Sequence, residues 1–232
     1  MADTIRTQII ANLITRAADI RTTKGFLTDV GTNQFRGVKP GKKIPAVAIS
    51  AGRETVTKES GANICEMPVD VMAYMALGTS EPEIVAEKIL ADLIEAFTGT
   101  EITFTFEDGE SEIEVGDTIT GATSGATGYV CAVSVSSGTW DGDDAAGTVT
   151  IRRDSGSFGA ETVTVGGTNS AAITGATAEG PEDVSTGGLA ASVVYAEGGA
   201  EDLPEGGETV VGCAARFVVK YRTKTGNPFS QI

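Results

Sequence analysis

Two parts of this chain echo one another at almost constant spacing, which constrains its fold more than any other feature. Ile102-Thr-Phe-Thr-Phe-Glu-Asp-Gly109 is answered by Val149-Thr-Ile-Arg-Arg-Asp-Ser-Gly156. Asp117-Thr-Ile-Thr120 is answered by Glu161-Thr-Val-Thr164, and Gly121-Ala-Thr-Ser-Gly125 more loosely by Gly166-Gly-Thr-Asn-Ser170. The first offset is 47 and the second 44, so one copy is three residues shorter. Short runs rich in Thr, Val and Ile, punctuated by Gly, predict a small all-β module of two similar halves. The flanks carry helical periodicity instead. The expected organisation is a base domain over residues 1–100 and 184–232, interrupted by an acidic all-β insert over 101–183.

Charge makes the same cut. Residues 101–181 hold 2 Lys+Arg against 13 Asp+Glu, whereas residues 1–100 hold 11 against 12 and residues 182–232 hold 4 against 7. Most of the net charge of −15 therefore sits on the insert. Such a surface favours solubility and disfavours an anionic membrane or sequence-specific nucleic acid as a partner.

No apolar run approaches the roughly 18 residues that span a bilayer. Met1-Ala-Asp-Thr-Ile-Arg lacks the basic-then-apolar layout of a signal peptide, so synthesis in a reducing cytoplasm is expected. Cys65, Cys131 and Cys213 are odd in number and widely spaced, and the chain has no histidine. This pattern argues against a disulfide framework and a zinc site, and for cysteines packed as small hydrophobes.

In the base, Ile5, Ile9, Leu13 and Ala17 recur every four residues, widened by Ile10, Ile14 and Ile20, behind a Thr4 N-cap. This predicts an amphipathic helix of about five turns. Residues 22–43 read as a polar loop holding Lys39, Lys42 and Lys43. Residues 44–50 read as a strand, and residues 52–63 as a charged connection. From Cys65 a long alternation sets Cys65, Met67, Val69, Val71, Ala73, Met75 and Leu77 against Glu66, Pro68, Asp70, Met72 and Tyr74. Pro68 donates nothing to a ladder, so a bulge or sheet edge is expected there.

Ser80-Glu-Pro-Glu83 fits a capping box with Pro in the first turn. Val85, Ile89, Leu93 and Phe97 then form a helical stripe stopped by Gly99. Residues 189–196 and 210–222 read as strands, with Ala215, Phe217, Val219 and Tyr221 opposed to Arg216, Val218, Lys220 and Arg222. The predicted fold class is α+β: a mainly antiparallel four-stranded sheet flanked by two helices, with an inserted small all-β domain.

No catalytic constellation emerges, so the chain is not expected to be an enzyme. General-base work falls to a carboxylate, Lys or Cys in the absence of His. The carboxylates lie in polar runs, and no cofactor or metal ion is expected. Asp141-x-Asp143-Asp144 has oxygen ligands at calcium-like spacing but reads better as an acidic turn. Gly121-Ala-Thr-Ser-Gly125 is followed by no Gly-Lys-Ser/Thr, so Thr123 and Ser124 are read as turn formers and not as a phosphate loop. Lys39, Lys42 and Lys43 have no interleaved aromatic residue. With Arg53 and Lys58 they are candidate protein-interface residues, the alternative being a solvated loop.

The base resembles the tail terminator (tail completion) proteins of long-tailed bacteriophages. The likeness lies in the layout: an amphipathic helix over residues 4–20, then a strand opening Ile44-Pro-Ala-Val-Ala-Ile49. A second strand ends Val69-Asp-Val-Met-Ala-Tyr74 before the helix that follows Ser80. The close, Val210-Val-Gly-Cys-Ala-Ala-Arg-Phe-Val-Val-Lys-Tyr-Arg-Thr223, is similar to the family's last strand. The likeness spans residues 1–100 and 184–225. The insert resembles Gly-Thr-Ser-Gly-Ala-Thr repeats of phage structural proteins and departs from a minimal terminator.

The resemblance implies a virion protein of the tail or neck, assembled in the host cytoplasm. It implies a homo-oligomeric ring, typically a hexamer, that caps the tail tube and ends its polymerisation. The implied partners are other copies of itself, the tail tube protein, the head-completion or connector protein and, in a contractile tail, the sheath protein. The alternatives are another neck or tail-tube subunit, or a surface- or carbohydrate-binding module using Tyr129, Trp140 and Phe158 of the insert.

Overall fold

A computed structural model describes residues 3–37, 43–78, 81–201 and 209–231. In chain order its elements are α1 (Ile5–Ala17), β1 (Gln34–Arg36), β2 (Ala46–Ala51), β3 (Thr55–Glu59), β4 (Ala62–Ala76) and α2 (Pro82–Thr98). There follow β5 (Glu101–Gly109), β6 (Thr118–Gly121), β7 (Thr127–Ser137), β8 (Ala145–Ser155), β9 (Glu161–Val165) and β10 (Thr168–Glu179). The chain closes with α3 (Pro181–Thr186), β11 (Ala190–Ala200) and β12 (Val210–Lys224). Two compact units result. The base unit takes in Met1–Thr22, Phe26–Gly99 and Pro181–Ile232, and the barrel unit Thr23–Gly25 and Thr100–Gly180.

The expected α+β fold with a four-stranded sheet is overturned. Among the described residues the molecule is mostly β, 50% strand and 21% helix, with three helices, a mixed sheet and a closed six-stranded barrel. The base sheet has six strands in the order β1-β2-β4-β12-β11, with β3 also paired to β4. The two strands missing from the prediction have physical reasons to be silent. β1 has only three residues and lies parallel to β2, inside the segment read as a polar loop. All five residues of β3 are exposed, so no face alternates, and its sequence reads as a charged connection.

The long alternations mark the faces except at Tyr74, assigned to the outward set but buried at 1% exposure. Cys65, Met67, Val69, Val71 and Ala73 of β4 are buried with Ala215, Phe217, Val219 and Tyr221 of β12 against α1 and α2. β4 and β12 pair without a slip from Val210↔Ala76 to Lys224↔Ala62. Phe97 of α2 meets Phe217 edge-on, with ring centroids 5.2 Å apart. Thr4 caps α1 by accepting from the Thr7 N–H. Glu81 occupies the N-cap of α2 without a side-chain bond, and Ser80, the predicted cap, lies outside the described residues.

Pro68 is neither bulged out nor at an edge; β4 is central. On one side Pro68 faces Val218. On the other it falls where β2 has ended at Ala51↔Val69 and β3 has not begun at Thr55↔Glu66. A missing donor is harmless at that handover. Gly52 turns the corner there: its N–H donates to the Pro68 carbonyl at 2.8 Å. A Cβ on Gly52 would sit 2.9 Å from Pro68 Cγ, so glycine is what lets the chain bend so close.

The barrel runs β10-β5-β8-β7-β6-β9 and closes on itself. Exchanging β5, β6 and β7 for β8, β9 and β10 leaves that neighbour list unchanged. The register obeys the same exchange. β5 pairs β8 with Ile102↔Ile151 and Phe104↔Val149 flanking Thr103↔Thr150, and β6 pairs β9 with Ile119↔Val165 and Gly121↔Val163 flanking Thr120↔Thr164. A pseudo-twofold axis therefore passes between Thr103 and Thr150 and between Thr120 and Thr164, and the offsets of 47 and 44 follow from it. At the first crossing the two hydroxyls lie 2.9 Å apart. The Thr164 hydroxyl donates to the Thr120 carbonyl at 3.3 Å at the second.

Candidate assembly surface

The base sheet ends on both sides in strands with one partner each. Among the described residues, β1 pairs only with β2, β3 only with β4 and β11 only with β12. Unpaired edges present a row of backbone donors and acceptors, which is a template for another chain.

β3 is held as a defined edge by the corner that precedes it. Arg6 of α1 donates from Nη2 to the Gly52 carbonyl at 2.6 Å. The Tyr221 hydroxyl of β12 donates to Glu54 Oε2 at 2.5 Å. Burial first, then the bond and charge of Glu54, push the Tyr221 pKa up, so it stays a donor. Cys65 lies in the same cluster, and burial followed by the Glu54 charge raises its thiol pKa despite hydrogen bonds involving Tyr221 and Thr223. A thiol held neutral is a packing group.

The candidate interface residues separate. Lys58 lies in β3 and Arg53 at the corner just before it, both exposed, so these two share one edge. Lys43 is exposed near the start of β2, at the opposite end of that strand from Arg53. None of the three forms an ion pair among the described residues. Lys39 and Lys42 lie outside the described residues.

The structure adds Arg36, exposed at the end of β1. It also adds the acidic character of the other edge. Residues 34–59, from β1 to the end of β3, hold 6 Lys+Arg against 2 acids, and residues 181–215 hold none against 7 acids. Counting charge in windows smaller than whole domains reveals this polarity in the sequence.

The sheet face away from the core carries cross-strand ion pairs. Arg216 bridges Asp70 and Glu197 at 2.7 Å each, and Lys220 meets Glu66 at 2.9 Å. They are solvent-exposed, where water and salt screen such pairs and they contribute little to stability. The Arg216 triad walls a groove with Ser50, Met72 and Ala214.

In the barrel, the Gly121-Ala-Thr-Ser-Gly125 loop wraps an anion supplied by its own chain. Thr123 and Ser124 donate their N–H groups to Glu161 Oε2 at 2.8 and 2.9 Å, and Gly159 donates to Oε1 at 3.0 Å. Desolvation raises the Glu161 pKa, but hydrogen bonds from the Ser124 side chain and the Ser124, Gly159 and Thr123 amides outweigh it and hold the carboxyl at about 2. Residues 123 and 124 thus serve as donors as well as turn formers.

The aromatic residues proposed for sugar stacking are engaged. Trp140 stacks on Phe106 with centroids 5.2 Å apart and planes at 12°. Phe158 meets Phe104 at 5.5 Å, and the Arg152 guanidinium lies 5.6 Å from the Tyr129 centroid. In the acidic turn, Asp144 Oδ1 accepts from the Thr139 N–H at 2.9 Å. No cluster of three or more metal-ligating side chains occurs among the described residues. All three cysteines are free, with Cys65 and Cys213 buried.

No protein-family model matches the chain, and no curated protein matches it in sequence.

Proposed function

We propose that this chain is a structural subunit of a phage tail, a terminator that assembles into a ring on the end of the tail tube. The observation that carries the reading is the base sheet with helices packed on one face and single-partnered strands at both edges. A subunit built this way has two different surfaces through which copies can add, and a heterologous contact that closes by rotation makes a ring. Capping requires shape and contact but no chemistry. The carboxylates that the fold organises are already engaged: Glu161 by the 121–125 loop, Glu54 by Tyr221, and Asp92 by Leu27 and Thr28. The sequence resemblance over residues 1–100 and 184–225 supplies the tail as the place of action, with the tube protein and the head connector as partners.

The carbohydrate-binding alternative loses its main support, since Trp140, Phe158 and Tyr129 pack within the barrel unit. The barrel's acid excess also makes it a poor contact between copies, because about 11 like charges on each would repel.

Deleting the gene in its phage and imaging the particles tests the function. Tails of uncontrolled length and tailless heads are expected. Normal tails joined to full heads would refute the terminator reading.

A further inference from the structure

We propose that β3 of one copy pairs antiparallel with β11 of the next, joining the base sheets head to tail into a continuous belt. This rests on the ring reading and gives it an interface.

Three observations carry the proposal. First, β3 is exposed at all five positions and held only by β4, yet its corner is pinned by Arg6 and Tyr221. A short strand of Thr-Val-Thr, with Val56 46% exposed, is held in pairing geometry, and among the described residues β4 is its one partner. β11 is the opposite edge, with β12 as its one partner among the described residues.

Second, strand directions fit. β3 is antiparallel to β4, β4 to β12 and β12 to β11. A copy added by rotation therefore sets its β3 antiparallel to the first copy's β11, and the alternation continues across the junction. Addition of a strand to an exposed edge is an established recognition mode.

Third, charge selects unlike edges. The chain segment from β1 to β3 is basic, with 6 Lys+Arg against 2 acids over residues 34–59. The segment around β11 is acidic, with 7 acids and no base over residues 181–215. Joining β3 to β3, or β11 to β11, would stop at two copies, and the second would place like charges together. Joining β3 to β11 sets the basic segment of one copy beside the acidic segment of the next, and leaves a free edge at each end until the ring closes.

The test uses the full chain, with mass by light scattering and shape by negative stain. Arg53→Glu with Lys58→Glu makes all four charges at β3 and its corner acidic, with Glu54 and Glu59. Glu197→Lys with Glu201→Lys reverses both charges carried along and just after β11. Each variant alone is expected to stay monomeric, its association weakened on the order of a hundredfold. An equimolar mixture is expected to form rings of alternating copies, because every junction then joins unlike edges. Raising salt should dissociate the wild-type ring.

Circular dichroism verifies that each variant keeps its fold. Should one lose it, Lys58→Gln and Glu201→Gln give the same readout as a higher concentration needed for ring formation. Rings that form from both variants as readily as from wild type overturn the edge assignment and leave the terminator reading standing. A mixture of folded variants that remains monomeric also overturns it. A wild-type chain that stays monomeric overturns the interface and the ring reading together.

Discussion

The barrel and the base sheet solve the same problem in opposite ways. Every barrel strand has two neighbours, so no backbone edge is left over. The base sheet stops at β1 and β3 on one side and at β11 on the other. Closure removes edges altogether, whereas an open sheet must cover them, charge them or use them. The barrel achieves closure by duplication, since two three-stranded halves related by a twofold axis satisfy each other's edges. The base has one copy of its sheet and keeps two unlike edges. Within one chain, then, the duplicated unit closes on itself and the unduplicated unit keeps its edges open.

The largest expected effect tests whether the two cores stand apart. Val71 is 1% exposed at the centre of the base, and Val71→Asp places an unpaired carboxylate there. The cost is several kcal/mol, comparable with the base's whole stability. Loss of the base transition in a thermal melt, with the barrel transition kept, is expected. Phe104→Ala makes the reciprocal cut. Phe104 is 2% exposed in the barrel core, and its truncation should cost about 3–5 kcal/mol. That is a large share of the roughly 4–12 kcal/mol a unit of this size has. The barrel should melt well below the base; a single shared transition in either variant would show that the units unfold as one.

How legible this was depended on how many faces an element presents to solvent. α1, β4 and β12 each bury one face, so Ile5, Ile9 and Leu13, or Val69, Val71 and Phe217, stand out by period. β3 buries neither face and β1 is too short to show a period, and these are the strands that form one edge. The barrel's symmetry was written in the spacing of Thr103 with Thr150 and Thr120 with Thr164, but closure depends on which strands meet, and repetition alone does not state that. At the candidate surface, Arg53 and Lys58 are readable as exposed bases. The acidic edge around Glu197 was hidden because its charge was averaged with the basic β12. Glu161 lies 37 residues or more from the loop it binds, so no local motif announced it.

A smaller effect concerns the polar pins of the base. Asp92, fully buried in α2, accepts from the Leu27 N–H at 2.8 Å and the Thr28 hydroxyl at 2.6 Å. Burial raises its pKa, opposed by hydrogen bonds from the Thr28 hydroxyl and from the Leu27 and Thr28 N–H groups. Asp92→Ala leaves those donors unmet and should cost about 1–3 kcal/mol, read from denaturant midpoints. Tyr221→Phe should cost about the same or less and, by loosening the corner at Glu54, should weaken self-association more than stability. Equal loss in both measurements would mean that the corner supports the fold without presenting β3.

The smallest effect belongs to the barrel and is visible only against pH. Glu161 has a folded-state pKa of about 2, below its ordinary value of 4.5. A carboxyl whose pKa is depressed by folding adds stability that is present in full above its unfolded value and lost as pH falls through the folded one. The window therefore runs from about 4.5 down to about 2. Glu161→Gln keeps the shape and one acceptor oxygen but removes the charge that the Thr123, Ser124 and Gly159 amides converge on. The melting temperature of the barrel should drop in this variant at neutral pH, and the gap to wild type should narrow steadily as pH falls below 4.5, nearly closing at pH 2. A gap that stays constant across that window would mean that the loop needs only an acceptor, and that the anion-wrapping geometry contributes nothing through charge.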